Sequence, residues 1–198
     1  MKIGAKRNNQ SSIINTAGCR DMRDKKTLRR EIKLLKDRLS EKDKSRQSDL
    51  IWKRLENTER FRQAETILMY WSMPDEVPTH DFILRRCSEK TIVLPVVDGD
   101  LLRLRQFSGE QKLKRNATLN LYEPLGDDYP DPQNIELAVI PGIAFDRNNQ
   151  RLGRGKGYYD RLLPDINAYK IGVCFDFQLF DNIPVDKFDV QMDEVITG

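Results

Sequence analysis

Three glycines alternate with cations in Arg151-Leu152-Gly153-Arg154-Gly155-Lys156-Gly157, and Tyr158, Tyr159 and Asp160 follow at once. Glycine tolerates positive φ and lets a backbone pass close to a ligand. Successive N–H groups in such a loop form a concavity for anions. Arg151, Arg154 and Lys156 can add charge-assisted hydrogen bonds to phosphate oxygens. The apolar run Glu136-Leu-Ala-Val-Ile140 ahead of the loop reads as a buried strand, and Tyr158 to Leu163 as a short helix stopped by Pro164. Strand, basic glycine loop and helix together predict a polyphosphate site. The loop is neither of the common nucleotide motifs. Lys156 lacks the upstream glycine and the following Ser/Thr of a Gly-x4-Gly-Lys-Ser/Thr loop, and the glycines are spaced Gly-x-Gly-x-Gly rather than Gly-x-Gly-x-x-Gly. A tight, solvated basic turn is the plainer alternative, and the three cations inside the loop weigh against it.

Such a loop needs a sheet to carry it. Thr66–Trp71, Thr91–Val97, Leu101–Phe107, residues 136–140, Tyr169–Phe175 and Glu194–Ile196 read as strands, with a turn at Asp98-Gly99-Asp100. A helix over Pro78–Arg86, capped near Thr79, separates the first two. Strands alternating with helices predict a mostly parallel α/β sheet with helices on both faces, Rossmann-like in the manner of sugar-phosphate isomerases and CoA-transferases. Ligands gather beyond the carboxyl ends of such strands. The glycine loop and Ser72-Met73-Pro74-Asp75-Glu76 both leave strands there, whereas periodicity does not put Asp193 in that crevice. Ahead of the sheet a helical pair is expected. Leu28, Ile32, Leu35 and Leu39 recur at helical spacing, Ser40 with Asp43 reads as an N-cap, and the second helix runs to Asn57 with Leu50, Ile51 and Leu55 inward.

Residues 1–22 are polar, without apolar periodicity, and read as a flexible extension; Met22 is a candidate start, and 23–198 a single domain. The chain has 198 residues, 33% of them charged, at a net charge of only +3, which does not suggest nucleic-acid binding. Cys19, Cys87 and Cys174 match no metal spacing and suit free thiols. No apolar run approaches a membrane span and no apolar segment follows Lys2, Lys6 and Arg7, so a cytoplasmic protein with no membrane partner is expected. No exposed apolar helix or strand is evident, and a monomer is expected.

Four blocks in order resemble one family: Lys25-Lys26-Thr27-Leu28-Arg29, Trp71 to Glu76, PGIAFD with Arg151–Asp160, and Met192-Asp193-Glu194-Val195. From about Lys25 to the C-terminus the chain resembles the 5-formyltetrahydrofolate cyclo-ligases, also called 5,10-methenyltetrahydrofolate synthetases. The resemblance implies that ATP and 5-formyltetrahydrofolate are converted, with Mg2+, to ADP, phosphate and 5,10-methenyltetrahydrofolate. It implies attack of the formyl oxygen on the γ-phosphorus, then closure by N10 and loss of phosphate. Catalysis then rests on positioning and on neutralising charge at the transferred group.

Carried over by position, the resemblance makes Lys25, Lys26, Thr27, Leu28, Arg29 and the loop Arg151 to Tyr159 ATP ligands. Within that loop it gives Arg151, Arg154 and Lys156 the catalytic charges. Trp71, Glu76, Arg154 and Tyr158 become folate contacts, and Asp160 and Asp193 the carboxylates for Mg2+. Read as residues alone, Lys25 and Arg29 suit a solvated helix face, Asp160 an ion pair, Asp193 a turn and Trp71 a core ring. Tyr158 and Tyr159 could stack on the pterin or simply pack. His80 and Met73 carry no expected chemistry. The segment 106–132 is the least familiar, apart from Glu123-Pro124. Two other functions fit the loop: a phosphate-binding isomerase or transferase that needs no ATP, and a protein that binds the folate without turnover.

Overall fold

The computed structural model describes residues 24–117 and 121–198. The extension expected over 1–22 and the candidate start at Met22 lie outside the described residues, as does Cys19.

Helix α1 (Lys25–Lys36) begins where Asp24 accepts the Thr27 N–H at 2.6 Å, and α2 (Glu41–Asn57) where Ser40 accepts the Asp43 N–H at 3.1 Å. Each cap satisfies a donor that the first helical turn leaves unpaired. The expected helical pair is present, but its members pack on different partners. Leu28 and Ile32 of α1 bury against Ala144, Leu152 and Ile183. Ile51, Trp52 and Leu55 of α2 bury against the main sheet, while Leu50 stays half-buried. Thr58 ends α2 and caps a further short helix, α3 (Glu59–Gln63).

The chain continues through β1 (Thr66–Leu68), α4 (His80–Arg86), β2 (Thr91–Asp98), β3 (Leu101–Gln106), β4 (Leu113–Asn116) and β5 (Leu121–Pro124). Then come β6 (Leu137–Pro141), β7 (Ala144–Asp146), β8 (Arg151–Leu152), α5 (Tyr158–Leu162), β9 (Tyr169–Val173), β10 (Leu179–Phe180) and β11 (Glu194–Ile196). Six strands form the main sheet in the order β11-β9-β6-β1-β2-β3, parallel except for the β2–β3 hairpin that turns at Gly99 and Asp100. Gly99 has φ 59° there, a conformation that glycine adopts without a Cβ penalty. From β1 the chain moves outward to β2 on one side and later to β6, β9 and β11 on the other. The strand order therefore reverses between β1 and β6, the place where such sheets open a crevice.

The α/β class is as expected, but the two faces are covered differently. On one face Ile67, Ile92, Leu137, Val139 and Ile171 pack against α2, α3 and α4. On the other, Leu68, Val93, Ala138 and Ile140 meet Leu163 and Ile166 after α5, and Phe145 from a second sheet. That sheet, β10-β7-β8, is absent from the sequence reading because its strands are two or three residues long. Its hairpin is built by Asp146, a buried carboxylate that accepts the N–H groups of Asn148, Gln150 and Ile183. Cys87 and Cys174 are free thiols.

Phe145 lies on β9 where Gly172 has no side chain. A β-carbon at Gly172 would sit 2.8 Å from Phe145 Cδ1 and closer still to Cε1. Gly172→Ala should therefore force the hairpin off the sheet and cost about 1–3 kcal/mol, the usual range for overpacking. The check is a lower urea midpoint at unchanged slope; an unchanged midpoint would mean that Phe145 yields without cost.

Candidate active site

A cleft of about 340 Å³ opens at the β1/β6 reversal. Its floor and walls come from Tyr70 to Glu76 after β1, Pro141 and Gly142 at the end of β6, and the loop from Arg151 to Asp160. Its outer side is Pro95, Val97 and Leu102 of the β2–β3 hairpin, with Leu121 and Tyr122 of β5. The size lies in the range of small-molecule sites.

The segment after β1 is fixed by hydrogen bonds more than by strand pairing. Thr79, expected as a helix cap, makes no side-chain cap bond. Its buried hydroxyl instead donates to Tyr70 O at 2.6 Å and accepts from Ser72 N at 3.0 Å, while Ser72 Oγ accepts from Thr79 N at 3.0 Å. Trp71 stacks on His80 with ring centroids 4.1 Å apart and on Phe107 at 5.6 Å. Glu76 closes a turn, its Oε2 accepting the Met73 N–H at 2.9 Å and its own N–H donating to Met73 O. The Glu76 carboxylate is thus presented to the cleft by its own backbone turn.

The glycine loop is carried by β8, whose Arg151 and Leu152 are both buried. Gln178 steadies the corner beneath it, donating to the Gly142 and Ile143 carbonyls. From α1, Arg29 Nε donates to Gly153 O at 2.8 Å, and its guanidinium lies against Gly155. Gly155 and Gly157 have φ 98° and 66°. These positive values explain glycine at both, because a side chain there would be strained. Lys156 is exposed at the mouth, and Tyr158 donates to Gly99 O at 3.3 Å.

Arg151 and Arg154 are each already paired with a carboxylate. Arg151, whose side chain is 3% exposed, donates from Nη2 to Asp160 Oδ1 at 2.6 Å and lies over the Tyr159 ring. Its Nε is buried without a partner among the described residues, a donor for which a ligand acceptor would compensate. Arg154 Nη2 binds Asp75 at 2.6 Å and Glu76 at 3.0 Å. Burial raises the Asp75 carboxyl, but hydrogen bonds from Lys36 and Arg154 outweigh it and hold the group below its ordinary value. Burial, and then the Glu76 charge, push the Tyr159 phenol well up, so it stays a neutral hydrogen-bond donor.

Trp71, Glu76, Arg151, Gly153, Arg154, Lys156, Gly157, Tyr158, Tyr159 and Asp160 are thus brought to one cleft. Other candidates are placed elsewhere. Leu28 and Leu152 are core residues, so only their backbones could meet a ligand. Lys26 and Thr27 are exposed on α1, with Thr27 N spent on the Asp24 cap. Lys25 is held by Asp186 at 2.7 Å and by Asp189. Burial opposes the Lys25 charge, yet those two hydrogen bonds keep its pKa above the ordinary lysine value. Asp193 does not line the cleft; its Oδ2 accepts from Lys170 N at 2.7 Å and Lys170 Nζ at 3.0 Å. Lys170 precedes Val173, the partner of Pro141, by three residues, about 10 Å along the sheet. Asp193 is thus engaged by Lys170 outside the cleft lining, while Asp160 Oδ1 also accepts the Val190 N–H at 3.4 Å, three residues ahead of Asp193. Among the described residues no group of three His, Cys, Asp or Glu could hold a metal. Sequence reasoning missed Asp75, Thr79 and Gln178. Asp75 stood in the same block as Glu76 but had no visible partner, while Thr79 and Gln178 act through contacts with no spacing signature.

Comparison with known proteins gives a consistent result. Residues 21–198 match the model of the 5-formyltetrahydrofolate cyclo-ligase family. The mouse 5-formyltetrahydrofolate cyclo-ligase is 30% identical over 188 residues, covering 87% of this chain and 92% of that protein. The solution structure of 5,10-methenyltetrahydrofolate synthetase from Aquifex aeolicus superposes with a TM-score of 0.78 at 31% identity, covering 87% of this chain and 88% of that one. The synthetase from Mycoplasma pneumoniae gives 0.71 at 28% identity, covering 88% and 99%.

Removing one member of a buried ion pair strands the other's charge. Asp160→Asn should therefore cost about 3 kcal/mol of stability through the buried Arg151, whereas Asp193→Asn, at a more exposed pair, should cost at most about 1 kcal/mol. Chemical denaturation of both variants checks this order; equal losses would mean that Arg151 finds another partner.

Proposed function

The chain belongs to the 5-formyltetrahydrofolate cyclo-ligase family, and we propose that its cleft is where ATP and 5-formyltetrahydrofolate meet. The enzyme is an ATP-dependent ligase that closes 5-formyltetrahydrofolate to 5,10-methenyltetrahydrofolate. The observation that carries the site assignment is the joining of a basic glycine loop and the Glu76 carboxylate across one cleft. Two substrates of different chemistry need just such neighbours.

In the proposed arrangement the loop N–H groups and Lys156 take the ATP phosphates, and Arg29 steadies the loop from α1. A carboxylate suits the pterin because Glu76 can accept from both its amino group and its ring N–H. Tyr70, Trp71 and Tyr159 form the apolar wall for the ring. The formyl oxygen attacks the γ-phosphorus and ADP leaves, which turns a poor leaving group into a phosphate ester. N10 then attacks the activated carbon, sheds its proton, and phosphate departs as the ring closes. Arg151, Arg154 and Lys156 neutralise charge on the transferred group, the largest service a protein can give such a step. Lys25 would have to exchange Asp186 and Asp189 for a phosphate before it could contribute.

Mg2+ would supply charge neutralisation on the ATP phosphates. It typically keeps several waters and uses one or two carboxylates besides phosphate oxygens. Asp160 is the acid we assign to it, because it lines the cleft; Asp193, tied to Lys170, fits that task poorly. The reading also carries a monomeric cytoplasmic enzyme without nucleic-acid or membrane partners, supported by the mixed charge of the chain and its isolated cysteines. No helix among the described residues is long and apolar enough to cross a membrane.

Incubation with ATP, Mg2+ and 5-formyltetrahydrofolate should release one ADP per methenyl product, followed by absorbance. A sequestering protein would bind the folate and release none. Glu76→Gln places an NH2 against one pterin donor. It should raise the KM for the folate roughly ten- to a hundredfold, the worth of a charge-assisted hydrogen bond, with the KM for ATP within about twofold. The opposite split would exchange the two subsites.

Rate against Mg2+ at fixed ATP tests the metal assignment. The Asp160→Asn curve should shift to higher Mg2+ and approach the wild-type plateau, while that of Asp193→Asn should superimpose on wild type. A shift for Asp193→Asn alone would reverse the assignment.

A further inference from the structure

Asp75 has no role in the reading above, yet it is the hub of a chain of charges between α1 and the glycine loop. Its Oδ2 accepts from Lys36 Nζ at 2.7 Å and its Oδ1 from Arg154 Nη2 at 2.6 Å. Arg154 reaches Glu76 Oε1 from Nη2 at 3.0 Å and from Nε at 3.3 Å. The guanidinium is therefore fixed along its Nε–Nη2 edge. Its Nη1 makes no hydrogen bond among the described residues and is the donor left for a ligand.

We infer that Asp75, anchored by Lys36, is a positioning residue that, with Glu76 on the same edge, aims the remaining edge of Arg154 toward the transferred phosphoryl group. The inference rests on the reading that Arg154 serves that group. Arg154 and Asp75 are each 41% exposed, so their attraction is well screened and adds little stability. What the pair supplies is geometry. A long arginine side chain on a glycine-flanked loop has many rotamers, and two carboxylates on one edge leave it few. Lys36, only 12% exposed, ties Asp75 to α1, the helix that Arg29 also joins to the loop. The guanidinium is thus set before substrates arrive, and misplacement of a charged group by about 1 Å can cost a hundredfold in rate.

The test is a double-mutant cycle on the full-length enzyme with Asp75→Asn, Arg154→Ala and both together. Asp75→Asn keeps an acceptor but loses the charge that fixes the fork. It should lower kcat roughly tenfold, leave both KM values within about twofold and leave the melting temperature nearly unchanged. In the Arg154→Ala background the same substitution should change kcat less than twofold, because a residue acting only through Arg154 has nothing left to act on. An equal loss in both backgrounds would overturn the inference, and so would a fall in melting temperature with kcat intact. If Arg154→Ala is impaired but Asp75→Asn turns over like wild type, the inference fails and the site reading stands. If Arg154→Ala itself is unimpaired, the site reading fails at Arg154 and takes the inference with it.

Discussion

The fold-back of the chain after β6 is the constraint on which the cleft depends. The chain leaves the sheet at Pro141, turns at Gly142 and Ile143, and returns across the sheet face as β7. It can lie that close only because Phe145 fills space left by Gly172 and Gly142, both of which would clash with its ring if they carried a β-carbon. The turn at Asp146 then sends β8 back, delivering Arg151 and the glycine loop to the carboxyl ends of β1 and β6. An apolar contact with no chemistry of its own therefore sets where the glycine loop lies. α1 depends on it too, since Leu28 and Ile32 pack on Ala144 and Leu152 of the same hairpin.

A second regularity is that the cations of the site come with carboxylates. Arg151 has Asp160, Arg154 has Asp75 and Glu76, and Lys25 has Asp186 and Asp189. Concentrating basic groups in a partly buried loop without counter-charges would be costly, because each would lose hydration and repel its neighbours. Pairing removes that cost and fixes the side chains, so less conformational entropy is lost when a ligand arrives. In the proposed arrangement phosphates would therefore enter by adding to or exchanging with existing ion pairs. Lys156, exposed at the mouth, differs from these in having the freedom to follow the ligand.

How far the sequence reveals this depends on whether a residue acts locally or at a distance. The parallel strands, the Gly99 turn, the Ser40 cap and the glycine loop are encoded in stretches of a few residues, and all are present, though some strands end earlier than expected. β1 is shorter than its apolar run, ending at Leu68 rather than Trp71, because beyond it Thr79 captures Tyr70 O and Ser72 N for a turn. Thr79 itself reads as a helix cap from its neighbours and becomes a clamp through a contact nine residues away. Leu28 looks like part of a nucleotide motif by its position between Lys25 and Arg29, yet its side chain faces the core. The same block holds the helix to the hairpin and Arg29 to the loop, so a motif read as ligand-binding contains structural residues as well.

Asp160 and Asp193 show the same limit from the other side. Both are acids beside motif blocks, and nothing in spacing separates them. The fold does, because Asp160 follows the loop into α5 at the cleft, whereas Asp193 precedes β11, a strand whose start lies at the amino end of its neighbour β9. Each is also held by a different cation, Asp160 by Arg151 at the cleft and Asp193 by Lys170 at the start of β9. The fold thus puts only the first of two similar carboxylates in the lining of the cleft. No count of residues between the motifs could have supplied that.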